Sequence, residues 1–203
     1  DGLFLRLHGR LDNESGGRIE PWVADVRDAS FIERVHGLER LDILVNSAGT
    51  NRLQHILDVD DDTLDLLLTF NVRAAFKVAQ AAVSVMIRGK RGGAVVNISS
   101  QMGHVGGPKR TVYAMTKHAI EGLTKAMAIE LAGDNIRVNA VAPTVVRTSM
   151  TESFFKDPAY GKAAMAMIPL GIVAEPEDVA AAVAYLASPG ARLVTGTSLR
   201  VDG

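Results

Sequence analysis

The 203-residue chain contains no cysteine. That excludes a disulfide framework and a thiolate metal site, and it fits a reducing, cytoplasmic setting. No apolar run approaches the roughly 20 residues that a membrane span needs. No basic-then-apolar leader opens the chain, so neither a membrane partner nor a secretory signal is expected. An excess of one charge is also missing. The formal net charge is −1, which points to neither nucleic acid nor an anionic surface. The five histidines show no metal-ligand grouping, so no metal site is expected. Internal repeats and low-complexity tracts are absent.

What is present is apolar content, 47% of the residues, enough for one sizeable core. Residues 1–203 are therefore expected to form a single domain. Short apolar runs alternate with helical stretches. "RIEPWVADV" (18–26), "LDILVNSAG" (41–49), "GGAVVNISS" (92–100), "NIRVNAVAP" (135–143) and "TSLRVDG" (197–203) read as strands. Helices are predicted over 30–40, 61–90, 111–133 with Gly133 as C-cap, and 174–188 with Pro176 in its first turn. The helix over 61–90 is apolar on more than one face. Strand–helix alternation implies crossover units and a parallel sheet. Near-continuous apolar strands imply helices on both faces. The expected class is α/β, a doubly wound parallel sheet. Ligands bind such sheets outside the carboxyl ends of the strands, which directs attention to residues 46–51, 99–101 and 143–148.

Tyr113 and Lys117 lie four apart on one helical face. A free phenol titrates near 10, too high for a neutral-pH proton shuttle, and a nearby cation favours the phenolate. The pair is therefore a candidate acid/base unit. The plain alternative is two partly exposed helix residues. Ser100 ends a strand thirteen positions before Tyr113, where its hydroxyl can meet a substrate oxygen or merely cap a turn. Asn71 interrupts the long helix, where asparagine is an unfavourable choice. It either faces solvent or meets the backbone ladder through its side chain or a water. "NSAG" (46–49) follows a strand with small residues that let a flat ligand approach the backbone. Asp25 ends the preceding strand, placed to accept from a ring amine or to cap a helix.

Taken together, "NSAG", Asn71, Ser100, "YAMTK", "NIRVNAVAP", the Pro143–Thr148 stretch and "TGTSLRVDG" resemble the classical short-chain dehydrogenase/reductase family from about residue 18 onward. The resemblance implies a Rossmann-like fold and an oxidoreductase that uses NAD or NADP on an alcohol or its carbonyl. It implies Tyr113 as acid/base and Lys117 as the residue that lowers its pKa and holds the nicotinamide ribose. Ser100 would polarise the substrate oxygen, and Asn71 would hold a relay water. Asn46, Ala48 and Gly49 would line the adenosine half of the cofactor, with Asp25 facing adenine. Pro143, Val146 and Thr148 would lie against the nicotinamide. Residues 148–170 occupy the place of the family's substrate lid, with Phe154, Phe155 and nearby methionines able to close over a ligand or to pack on the core. The helices over 61–90 and 111–132 correspond to a subunit interface, commonly in tetramers, so a homo-oligomer (dimer or tetramer) is expected.

Three positions depart from the family pattern. Ser47 replaces a second asparagine, and Thr144 replaces a glycine. No Gly-rich turn opens a helix, since "ESGGRIE" (14–20) precedes a strand rather than following one. Residues 1–12 read as the helix before the third strand of the full fold. Because the first crossover unit is then not in the chain, whose first residue is Asp, the natural start is expected upstream. Arg52, His104, Lys109, Arg110 and Arg147 follow strand ends, so an anionic substrate is expected. The same stretches resemble gluconate- and deoxygluconate-type dehydrogenases of the family, with a 3-oxoacyl thioester as the competing substrate. A non-catalytic dinucleotide sensor on the same fold is the rival from another class.

Overall fold

The structure, a computed structural model, describes residues 27–148, 151 and 158–203. The predicted strand over 18–26, Asp25, the helix over 1–12, Phe154 and Phe155 lie outside the described residues. Helix α1 (Ala29–His36) opens at Asp28, whose carboxylate accepts from the Ser30 backbone N–H at 2.9 Å. Strand β1 (Ile43–Asn46) follows, then helix α2 (Asp61–Gly89). Asp60 caps α2 by accepting from the Thr63 N–H at 2.7 Å, with Asp61 and Asp62 in the first turn facing the positive end of the helix dipole. That backbone hydrogen bond holds the Asp60 carboxyl below its ordinary pKa.

Strand β2 (Gly93–Ile98), helix α3 (Thr111–Glu130), strand β3 (Ile136–Pro143), helix α4 (Pro158–Ala166), helix α5 (Pro176–Ala187) and strand β4 (Ser198–Val201) complete the order. The sheet runs β1-β2-β3-β4 and every pairing is parallel. Successive residues of one strand serve opposite layers. Val95 and Val138 pack with Val83, Met86, Ala128 and Leu131 from α2 and α3. Val96 and Val141 pack with Val179, Val183 and Leu186 of α5. Both faces are covered, as the unbroken apolar strands require.

Helix α2 spans 29 residues and is apolar enough, by length and composition, to cross a bilayer, but half of its apolar window is packed inside the fold. Alanines at 74, 75, 79, 81 and 82 let it lie close to the sheet and to α1. Its regularity breaks at Thr69–Arg73, where one turn is π-helical and the Ala74 N–H reaches back five residues to the Thr69 carbonyl.

Gly133 is not the C-cap of α3. The helix ends at Leu131 and tightens into a 3₁₀ turn over Ala132–Asp134, and the left-handed residue is Asn135, with φ of 57°. The extra turn moves the reversal two positions on, and asparagine tolerates that conformation. Helix α4 occupies part of the stretch expected to be a loop. Beyond it Met167 is 64% exposed, so this methionine is not core filler.

Candidate active site

The carboxyl ends of β1, β2 and β3 bring the singled-out residues to one edge of the sheet. Lys117 is buried in α3, with its ammonium donating to the Ile98 carbonyl at 2.9 Å. Ile98 is the last residue of β2, two positions before Ser100. The same ammonium lies 5.7 Å from the centre of the Tyr113 ring, and the Arg110 guanidinium lies 6.0 Å from it on the preceding turn. The phenol ring thus has two cations near it, of which one is buried. An ammonium has three donors, so two remain after the Ile98 bond.

Asn71 does not face solvent. The π-helical turn carries it onto the inner side of α2, where it is 2% exposed. Its Oδ1 accepts from the Thr50 N–H at 2.8 Å, and its Nδ2 donates to the Thr50 carbonyl at 2.9 Å and to Thr116 Oγ1 at 3.1 Å. Thr116 Oγ1 donates in turn to the Tyr113 carbonyl at 2.7 Å. Asn71 therefore joins the turn after β1 to the first turn of α3. Thr116 is not among the residues that the sequence singles out. Its signal was a β-branched hydroxyl directly before the lysine, able to bond back along its own helix.

Gly49 faces the same point. A Cβ built on it would lie 3.5 Å from Asn71 Oδ1 and 3.6 Å from Lys117 Nζ. A methyl would fit, but anything larger would fill the notch between the turn and the ammonium. Asn46 sits at the end of β1 with its side chain turned inward. Its Nδ2 donates to the Ala75 carbonyl at 2.9 Å and to Asn97 Oδ1 at 3.4 Å, and Asn97 donates to Thr124 Oγ1 at 3.0 Å. This buried amide chain fixes the level at which β1 ends against α2 and α3. Ala48 lies between Asn46 and Gly49 in the same turn.

Ser100 caps a 3₁₀ turn over Gln101–Gly103, accepting from the Met102 N–H at 3.1 Å. Pro143 ends β3 in the interior. Val146 then forms a parallel bridge with Ala174, and the Thr148 N–H donates to Thr151 Oγ1 at 3.0 Å. The Thr144 hydroxyl donates to Gln101 Oε1 at 3.3 Å, linking the third strand end to the turn that Ser100 opens. A glycine at 144 would lack that link.

The basic residues divide. Arg147 pairs with Glu175 at 3.0 Å, and His104 Nε2 lies 3.3 Å from Glu121 Oε1. The loop that carries Arg52 and the loop that carries Lys109 and Arg110 are tied together, the Gln54 N–H donating to the Lys109 carbonyl at 3.1 Å.

The described residues contain no cluster of three acidic, histidine or cysteine side chains able to hold a metal ion. What the edge does offer suits a dinucleotide: bare backbone at Gly49, a buried ammonium beside it and a phenol one turn away.

Comparison with known proteins bears on the family and the fold. Residues 9–203 match the profile of the family described as enoyl-(acyl carrier protein) reductase. The chain is 38% identical to the 3-oxoacyl-[acyl-carrier-protein] reductase FabG of Thermotoga maritima over 92% of its own length and 77% of that protein's. It is 40% identical to human L-xylulose reductase, over 91% of its length and 76% of the reductase. A gluconate 5-dehydrogenase from Burkholderia cenocepacia, solved in complex with NADP and tartrate, superposes with a TM-score of 0.86 at 29% identity, covering 97% of this chain and 78% of that one. The fold is the Rossmann-like one, and the chemistry of the family is NAD(P)-dependent interconversion of alcohols and carbonyls. This chain belongs to the classical short-chain dehydrogenase/reductase family.

Proposed function

We propose that Tyr113 is the acid/base of this NAD(P)-dependent oxidoreductase, and that its substrate is a small polyhydroxy acid or the matching keto acid. The observation that carries the first part is the buried Lys117 ammonium, fixed to the Ile98 carbonyl and facing the Tyr113 ring. That arrangement sets a phenol, able to donate or accept a proton, beside a fixed cation at the strand ends. Ser100 orients the substrate oxygen from the end of β2. Asn71 holds the Thr50 turn and the first turn of α3 in register, and so places the phenol relative to the strand ends. Bound NAD or NADP supplies the hydride chemistry, and the chain supplies orientation and proton management. Lys117 would hold the nicotinamide ribose through its ammonium, with the Tyr113 ring lining the cofactor beside it. Ala48, Gly49 and the backbone of Asn46 would line the adenosine half, while Pro143, Val146 and Thr148 would lie against the nicotinamide.

The substrate class is supported by Arg110, whose guanidinium lies 6.0 Å from the Tyr113 ring, and by Arg52 and Lys109 on the two loops that the Gln54–Lys109 backbone bond joins. Positive charge on these loops favours a carboxylate by steering and charge-assisted hydrogen bonds. The gluconate 5-dehydrogenase that the chain resembles was solved with tartrate, itself a polyhydroxy acid. A 3-oxoacyl thioester is the second reading, supported by the Thermotoga maritima relative. Initial rates with gluconate, xylitol and acetoacetyl-CoA, each at low and high salt, separate the readings. Gluconate should be fastest, and its rate should fall on neutralising Arg52 and Arg110. Faster turnover of xylitol, or no loss in the Arg52→Ala and Arg110→Ala variants, rejects the acid. Phe76, Met115 and Ile129 leave apolar surface exposed on α2 and α3, which supports a homo-oligomer built on these helices. Sedimentation velocity tests it, and a monomer at micromolar concentration rejects it.

A further inference from the structure

A second group of polar side chains lies behind the Ser100 turn, and the chemistry above gives it no task. Glu121 sits on α3 one turn beyond Lys117 and is 4% exposed. Its Oε1 accepts from the Ser198 hydroxyl at 3.0 Å and lies 3.3 Å from His104 Nε2. His104 Nε2 and Ser198 Oγ are themselves 3.0 Å apart. The three groups come from three elements: α3, the end of the Ser100 turn, and the first residue of β4.

Burying a carboxylate is costly unless it is paired. A core position needing only volume is filled more favourably by an apolar side chain. Glu121 is also incompletely paired, since its Oε2 and the neighbouring Ser99 hydroxyl have no partner among the described residues. The acid is therefore not explained by stability alone.

Its position relative to Ser100 supplies a reason. The segment from Ile98 to His104 is held to α3 at both ends. Lys117 Nζ grips the Ile98 carbonyl, and Glu121 grips His104. The two gripping residues are four apart on one helical face, the face that also carries Tyr113. Between them the turn presses directly on α3. A Cβ on Gly103 would come within 2.8 Å of Ser99 Oγ, 3.0 Å of Glu121 Cγ and 3.1 Å of the Lys117 carbonyl. Ser100 lies between the two ties.

We propose that Glu121 and His104 are positioning residues: their contact closes the far end of the Ser100 turn onto α3 and so sets the Ser100 hydroxyl against the Tyr113 phenol. Neither touches the reacting atoms. The inference rests on the assignment of Ser100 and Tyr113 to the chemistry. It goes beyond that assignment by naming what fixes their separation. Loosening the tie lets the turn drift from the helix, and a displacement on the order of 1 Å can lower a rate by about 100-fold.

The test uses the full-length enzyme with whichever of gluconate, xylitol and acetoacetyl-CoA the wild type turns over fastest. Glu121→Ala, His104→Ala and the double variant are compared with Glu121→Gln, which keeps an acceptor for both partners. Each alanine variant should lower kcat by about tenfold or more, with NADP affinity within about twofold of wild type. The double variant should be no worse than either single one, because both break one contact. Glu121→Gln should recover most of kcat. If Glu121→Ala does not fold, His104→Ala, on an exposed residue, carries the same comparison. A lowered melting temperature with kcat unchanged would mean a purely structural pair and overturns the proposal. So do additive losses in the double variant. Tyr113→Phe is run alongside. If that variant keeps more than about a tenth of the wild-type rate, against the 10²–10⁴-fold worth of a general acid/base, the site assignment has failed rather than the tie.

Discussion

The two ends of the sheet use polar groups in opposite ways. At the amino end the polar residues complete the fold. Arg137, at the start of β3, donates to the carbonyls of Leu186, Ala187 and Ser188 at 2.7 to 3.4 Å, and to Val194 at 3.4 Å. It supplies donors to the last carbonyls of α5, which a helix leaves without partners, and sets a cation at the negative end of the dipole. Burial lowers its pKa from the usual arginine value. At the carboxyl end Asn46 and Asn71 are likewise bonded into the fold, but Lys117 and Tyr113 are held by it without being consumed. Lys117 keeps donors beyond the Ile98 bond, and the Tyr113 ring lies near two cations. The difference teaches where chemistry can reside. A group whose bonding capacity is filled by backbone is architecture, whereas a fixed group with capacity left over is available to a ligand.

The largest expected effect comes from removing the phenol oxygen. Tyr113→Phe should lower kcat by about 10²–10⁴-fold, the usual worth of a general acid/base, and leave NADP affinity and melting temperature near wild type. Steady-state kinetics with dinucleotide titration checks both. Lys117→Ala should act on two quantities where Tyr113→Phe acts on one. Rate should fall and dinucleotide affinity with it, because the proposed role gives the ammonium both the phenol and the ribose. It also leaves the Ile98 carbonyl unpaired, at about 1–3 kcal/mol for a buried acceptor. Unchanged NADP affinity in that variant would remove the second role.

Asn71→Leu sharpens the contrast from inside α2. The side chain keeps its branched outline but loses three hydrogen bonds to Thr50 and Thr116. Each buried group left unpaired should cost about 1–3 kcal/mol, and kcat should fall as the Thr50 turn loosens. Arg137→Met tests the other end. Losing a charged donor to several carbonyls should destabilise by about 1.5–3 kcal/mol, while turnover per folded molecule stays unchanged. Chemical denaturation and active-site titration separate the two quantities. A variant of Arg137 that folds well but turns over slowly would break the division between the ends.

Much of this division was legible in the sequence. Four of the predicted strands and four of the predicted helices stand within a few residues of their expected limits, because their apolar runs and caps act locally. The strand-end clusters follow from the parallel topology. What could not be read depends on contacts between distant segments. The π-helical turn at Thr69–Arg73 is stabilised by Asn71 reaching Thr50 and Thr116, 21 and 45 residues away. The Glu121–His104–Ser198 group needs three elements at once. Arg137 reads as an ordinary charged strand residue until α5 is placed over it. Basic residues after strand ends suggested one positive mouth. Packing then assigned Arg147 to Glu175 and His104 to Glu121, which is pairing that no local pattern encodes.

The smallest effect is expected where neither end is touched. Helix α3 runs from Tyr113 at the carboxyl end to Leu131 at the amino end, and Gly122 lies midway along it. A Cβ on Gly122 would meet nothing within 4 Å. Glycine in a helix interior costs about 0.5–1 kcal/mol relative to alanine, largely through the freedom it gives the unfolded chain. Gly122→Ala should therefore stabilise the protein by about that amount and leave kcat and NADP affinity unchanged. The position also reports on assembly. If α3 packs against its copy in another subunit through this face, the added methyl meets that neighbour, so the gain turns into weakened association. Thermal denaturation and sedimentation of the same variant read the two outcomes. A stabilised protein of unaltered size places Gly122 on open surface, whereas a protein that dissociates places the subunit contact across the middle of α3.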